Sequence, residues 1–120
     1  MMRKATKQSP SANADEKAYM RWLKEREICS ACGIDGPVIV HHCKGSSFKH
    51  NKQLIGHMFC LGLCQRCDDL VTHGSIKRLE ESAGQSQSQM WDRDQSYYDG
   101  VIPRDIYDAI WDYGVGREQK

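Results

Sequence analysis

All six cysteines and all five histidines of this 120-residue chain fall between positions 29 and 73. Four cysteines form two C-x-x-C pairs, Cys29/Cys32 and Cys64/Cys67. Each pair offers two thiolates to one tetrahedral ion, at about 2.3 Å for zinc. The segment between the pairs is longer than in the shortest zinc fingers but within the reach of a folded-in loop. Disulfides are the rival use, and a reducing compartment disfavours them. A redox C-x-x-C calls for a βαβ unit that nothing here resembles. Paired knuckles therefore predict structural zinc on Cys29, Cys32, Cys64 and Cys67. Cys43 and Cys60 fall outside the pairs and read as small buried apolar residues.

The second cluster is His41 and His42, adjacent at the end of the apolar run "PVIV". Neighbours on a strand point to opposite faces. At a strand end, one can hold a cation while the other, titrating near neutrality, takes a proton from water. That pairing suits metal-assisted hydrolysis. Further ligands are expected from the element after the second knuckle, "CDDLVTHG". Asp69 and His73 are four apart and share a face on a helix; Asp68 competes with Asp69. His50, Asn51 and His57 lie in the intervening loop, where any one could orient the catalytic histidine or touch phosphate.

These residues need a scaffold. "NADEKAYMRWLKEREI" reads as a helix, with Asn13 as N-cap and Glu16 closing a variant capping box. Ala18, Met20, Trp22 and Leu23 approximate its apolar stripe, with Ile28 further on, and Tyr19 shares a face with Trp22. "CSACGIDG" is a tight turn, "PVIVHH" a short strand, 44–57 a loop and "MFCLGLC" a second strand. A helix is expected from Arg66 or Asp68 through "IKRLEESAG", broken near Gly74 and stopped by Gly84. The polar segment 85–100 fits a helix or an ordered loop equally. In "PRDIYDAIWDYG", Pro103 suits a first turn, Gly114 an end, and Ile106, Ile110 and Tyr113 one packed face. Residues 1–13, rich in Ser, Lys and Gln, read as a disordered tail.

The expected class is α+β in the order helix, two strands, helix, C-terminal helices. Only 39% of residues are hydrophobic, so a bound metal is a natural supplement to a small core. No apolar run has the ~20 residues of a membrane helix. The N-terminus lacks an apolar signal-peptide core, so the expectation is a cytoplasmic protein. Residues 1–78 carry 13 Lys/Arg against 7 Asp/Glu, and residues 79–120 carry 4 against 9. Lys44, Lys49 and Lys52 surround the histidines without an acid among them. That asymmetry fits a basic face toward a polyanion, though a solvated lysine-rich loop reads the same way.

The set "CSAC", "VIVHH", "FCLGLCQRCDD" and "THG" resembles the HNH, or ββα-metal, endonuclease superfamily. It is most similar to the phage-encoded, Ref-like branch of RecA-dependent nucleases. "EKAYMRWLKEREICSACG", "HHCKGSS" and "HGSIKRLEESAG" carry that closer likeness, over residues 14–84. Residues 85–120 have no counterpart in it. The resemblance implies a zinc-stabilised, treble-clef-like ββα-metal core, flanked by an N-terminal helix and C-terminal helices packed on the same domain. It implies that His41 binds a catalytic divalent metal and that His42 is the general base. Asp68 or Asp69, with His73, would complete the metal site. Many members have histidine where this chain has "CDD"; aspartate is a hard ligand that favours Mg²⁺ or Mn²⁺. The implied activity is DNA phosphodiester hydrolysis, phage or prophage encoded and acting in recombination, with a RecA-type filament as a partner. Lys44, Lys49, Lys52, His50 and Asn51 would meet the nucleic acid. The rival reading is a non-catalytic zinc module that binds nucleic acid or a host protein, with "CDD" marking a lost metal site.

Overall fold

The computed structural model describes residues 12 to 115. The tail expected over 1–13 lies almost wholly outside them. The first element is α1, Ala14–Arg26. Its capping box forms as expected: Glu16 N–H donates to Asn13 Oδ1 at 2.9 Å, and Asn13 N–H to Glu16 Oε1 at 2.8 Å. The fully buried ridge is Glu16, Tyr19 and Leu23; of the expected stripe Leu23 is buried, Met20 and Trp22 pack against the core half-buried, and Ala18 is half-buried. The cause is polar as much as apolar. The Tyr19 hydroxyl donates to the Cys60 carbonyl and accepts from Gln95 Nε2 at 3.0 Å, so the whole ring can be buried. Trp22 stacks on Tyr19 at 5.9 Å, on the margin of the core.

Strands β1, Ile39–His42, and β4, Cys60–Leu63, pair antiparallel, with His41 opposite Leu61 and His42 opposite Cys60. The loop between them holds a small hairpin, β2 (Lys49–His50) and β3 (Gln53–Leu54), where the sequence predicts only loop. Asn51 and Lys52 both have positive φ, as the tightest hairpin turns require. A two-rung hairpin is too short to leave a period-two pattern. Every residue of β4 is buried, because α1 packs against it and so does α4, Gln87–Gln95.

Helix α2, Gln65–Thr72, follows the second knuckle, and α3, Ile76–Ala83, follows a turn at His73–Gly74. Gly74 breaks the run for a steric reason: a Cβ there would lie 2.6 Å from the Leu70 carbonyl. Ser75 caps α3 and Gly84 ends it in the left-handed conformation. The undecided segment 85–100 resolves as α4, with a capping box between Ser86 and Gln89. It delivers Met90 and Trp91 to the core, and Trp91 Nε1 donates to the Met58 carbonyl at 3.0 Å. Helix α5, Arg104–Ile110, runs into a π-helical turn, Trp111–Val115. Pro103 is its N-cap rather than a residue of its first turn, and Gly114 lies within the π turn.

The result is a small α+β fold with one apolar core, in which Tyr19, Leu23, Phe59, Leu61, Leu63, Trp91 and Ile110 are all buried. Ile106 and Tyr113 pack against that core, as their spacing predicts. Among the described residues, no helix is long and apolar enough to cross a membrane.

Candidate metal centre and histidine cluster

The first knuckle is shaped by its backbone. Glu27 ends α1 with φ 54°, Cys29 N–H donates to the Ile34 carbonyl, and Gly33 turns at φ 79° to donate to the Cys29 carbonyl. Ser30 clamps this turn to β4. Its N–H donates to the Gly62 carbonyl at 2.7 Å, and its hydroxyl accepts from Gly62 N–H at 3.1 Å. Gly62 itself packs tightly on its other side, where a Cβ would lie 3.0 Å from the Val38 side chain. The second knuckle is the start of α2: Cys64 is the N-cap, and Cys67 is the buried residue of the helix. A helix N-terminus favours thiolates.

The two knuckles meet. The sulfurs of Cys29, Cys32, Cys64 and Cys67 all lie within 4.8 Å of one another, and Cys32 Sγ is 3.8 Å from Cys64 Sγ. A regular tetrahedron with bonds of about 2.3 Å has edges of about 3.8 Å. The quartet therefore fits a zinc ion closed by four thiolates. Burial works against the Cys32 thiolate, but the hydrogen bonds from Ile34, Cys29, Cys64 and Cys67 outweigh it and bring that pKa down to about 7. Burial pushes Cys64 and Cys67 up, as expected when neighbouring thiols share one charge. Cys43 and Cys60 are buried apart from the quartet, and burial raises both.

The histidines stand where β1 ends, on the strand pair that carries α2. His42 Nε2 lies 3.3 Å from His57 Nδ1. Of the three loop residues that could have met His42, it is His57 that does so. The residue before His57, Gly56, packs against the turn after β1: a Cβ there would strike the Gly45 and Ser46 carbonyls at 2.2 and 2.4 Å. Burial, then the proximity of His57 and His41, lowers the pKa of His42. An imidazole so placed is neutral at neutral pH, the form a general base needs. His41 faces elsewhere. Its Nε2–H donates to Gln87 Oε1 at 2.7 Å, which leaves Nδ1 as the lone pair able to bind a cation.

The expected partners of His41 do not gather around it. Asp69 and His73 share a face of α2 as predicted, and the His73 N–H donates to the Asp69 carbonyl. That face is exposed, and the Asp69 carboxylate accepts from Gln65 Nε2 at 2.8 Å. The helix packs through Cys67, and a period of about 3.6 places positions 69 and 73 on roughly the opposite side. Asp68, half-buried, is not in a cluster with His41 either. Among the described residues, the cysteine quartet alone brings three or more metal-ligating side chains within 4.8 Å. The residues assigned to a catalytic metal therefore do not form a ready site.

The basic loop is placed by the C-terminal helix. His50 Nε2 lies 2.8 Å from Asp112 Oδ2, and Asn51 Nδ2 donates to the same oxygen at 3.1 Å. Lys49 and Lys52 are exposed, and Lys44 Nζ lies 5.5 and 5.8 Å from the Phe48 and Tyr113 rings. Sequence reasoning missed Gln87 and Asp112, which hold His41 and the loop. Gln87 sits in an amide-rich stretch where nothing marks one amide above its neighbours, and Asp112 is one of several aspartates on a helix marked only by its apolar face. No protein-family model, curated protein or solved structure matches the chain.

Proposed function

We propose that the protein is a zinc-stabilised, metal-dependent DNA endonuclease of the HNH type, with His42 as general base. The observation that supports this best is the His42–His57 contact at 3.3 Å, at the end of a strand paired to the strand that leads into the cysteine-anchored α2. For His42 to accept a proton at Nδ1, its Nε2–H must donate to His57 Nδ1. His57 then carries its own proton on Nε2. In that tautomer His42 Nδ1 takes a proton from water, and the hydroxide bonds to phosphorus as the P–O3′ bond breaks, the leaving 3′ oxygen taking a proton from solvent. His57 is a positioning residue, stabilising the imidazolium as it forms. Lys44, Lys49 and Lys52 neutralise flanking phosphates and read no bases. His50 and Asn51 act in the same loop, tied to Asp112. The reading includes Mg²⁺ or Mn²⁺, whose chemistry on a phosphodiester is charge neutralisation. Because Asp68, Asp69 and His73 do not converge on His41, no step is assigned to the ion.

That same non-convergence favours a second reading, a zinc-stabilised module that binds nucleic acid or a host protein without cutting it. The two differ in a second metal. The test is incubation of supercoiled plasmid and single-stranded DNA with purified protein and Mg²⁺, Mn²⁺ or neither, each with and without a RecA-type filament. Nicking that requires added divalent metal supports the nuclease. Dependence on the filament extends it to the Ref-like branch. Retention of DNA without cutting under every condition supports the module.

A further inference from the structure

A cavity of about 240 Å³ opens behind His41, lined by Lys44, Phe59, Glu80, Gln87, Ser88 and Tyr113, with Gly114 closing one side. It is smaller than the ~300–1,000 Å³ typical of whole-ligand pockets. What lines it is unusual for an idle crevice. Gln87 is 7% exposed and Ser88 5% exposed. The Gln87 side chain gives its oxygen to His41, and among the described residues its Nε2 hydrogens are left for the cavity that Gln87 lines. The Ser88 hydroxyl also faces the cavity, and it lies against Gly114, where a Cβ would come within 1.9 Å. Glu80 accepts the Gln87 N–H with one carboxylate oxygen at 2.9 Å and keeps the other. Two nine-tenths-buried side chains thus bring unused hydrogen-bonding groups to one small cavity, beside a carboxylate. These groups are open to the cavity and free to bond whatever enters it.

The walls narrow the choice of ligand. Tyr113 provides aromatic surface, and its ring is held edge-to-face against the buried Phe59 at 5.9 Å and 69°. Lys44 stands at the rim beside Tyr113. A flat aromatic ring with both donors and acceptors on its edge, attached to a phosphate, matches all of this. Amide, hydroxyl and carboxylate meet the edge, the Tyr113 ring meets the face, and the lysine meets the phosphate. We infer that the cavity holds one unstacked nucleobase of a single-stranded DNA segment, with the adjoining phosphate on Lys44. This rests on the nuclease reading for its purpose, since His41 shares Gln87 with the pocket and the base would register the strand against the histidines. Its test does not rest on cleavage.

The probe is a short single-stranded oligodeoxynucleotide, bound to the zinc-loaded full chain without added divalent metal and followed by fluorescence anisotropy. Abasic sites replacing its bases should weaken binding at least about tenfold, because stacking and edge contacts are lost. Ser88→Leu, which fills the cavity, should bind intact and abasic strands alike. Glu80→Gln should weaken the intact strand and spare the abasic one. Circular dichroism and zinc content establish that each variant is folded. Equal binding of intact and abasic strands by the wild type would overturn the proposal, and needs no variant. A protein that discriminates the base yet cuts nothing with Mg²⁺ or Mn²⁺, with or without a RecA-type filament, would contradict the nuclease and leave the pocket standing.

Discussion

At the scale of single residues, the account turns on which atoms of four side chains are already in use. His42 meets His57, and His41 meets Gln87. His57→Ala should therefore lower the cleavage rate about 10- to 100-fold, the usual loss when a residue that orients a functional histidine is removed. The loss should fall on kcat, with KM little changed, and single-turnover kinetics separate the two. Loss confined to KM would make His57 a binding residue instead. The sequence brought His42 and three loop candidates forward but could not choose among them. That choice depends on Gly56 admitting the 44–47 turn beside His57, a contact between segments with no local signature. His41's partner was beyond reach for a similar reason, since Gln87 lies 46 positions away in an amide-rich run.

At the scale of elements, two devices hold the site in place. One is the cysteine quartet that joins the first turn to α2. Removing one ligand by Cys64→Ser should give insoluble or unfolded protein, because structural zinc supplies an apparent ~10–16 kcal/mol in such peptides. Zinc content should be one ion per folded chain, and acidification should release it together with the fold, as protons compete for the thiolates. A folded Cys64→Ser protein with unchanged zinc would contradict the four-thiolate assignment. The other device is Asp94 of α4, buried beneath the first knuckle. It accepts from Arg26 at 2.9 Å and from Ser30 Oγ at 2.7 Å, and Arg93 donates to the Ser30 carbonyl. Asp94→Ala leaves the Arg26 charge unpaired and should cost about 3–5 kcal/mol in urea unfolding. A cost below about 1 kcal/mol would show that the knuckle does not lean on α4. The knuckles, the capping box of α1 and the break at Gly74 were legible because each is a local pattern with its own stereochemistry. The role of α4 was not, because its apolar payload is only Met90 and Trp91 and its buried anchor is a charged residue.

At the scale of the whole molecule, the chain carries a near-neutral total charge of +1 with the signs separated. Lys44, Lys49 and Lys52 project from the loop beside the histidines, and Asp112 of the acidic C-terminal part steadies that loop. If all three lysines meet phosphates, log affinity should fall with log salt at a slope of about −2 to −3. Replacing the three with alanine should flatten that slope nearly completely. An unchanged slope would move the polyanion contact to another face. The most direct test compares cleavage of supercoiled plasmid by wild type and His42→Ala, in Mg²⁺ and in Mn²⁺, each with and without a RecA-type filament, with zinc content and circular dichroism matched. The account predicts divalent-dependent nicking by the wild type that falls at least about 100-fold in the variant. Equal nicking by a folded His42→Ala protein, or none by either protein, would contradict it.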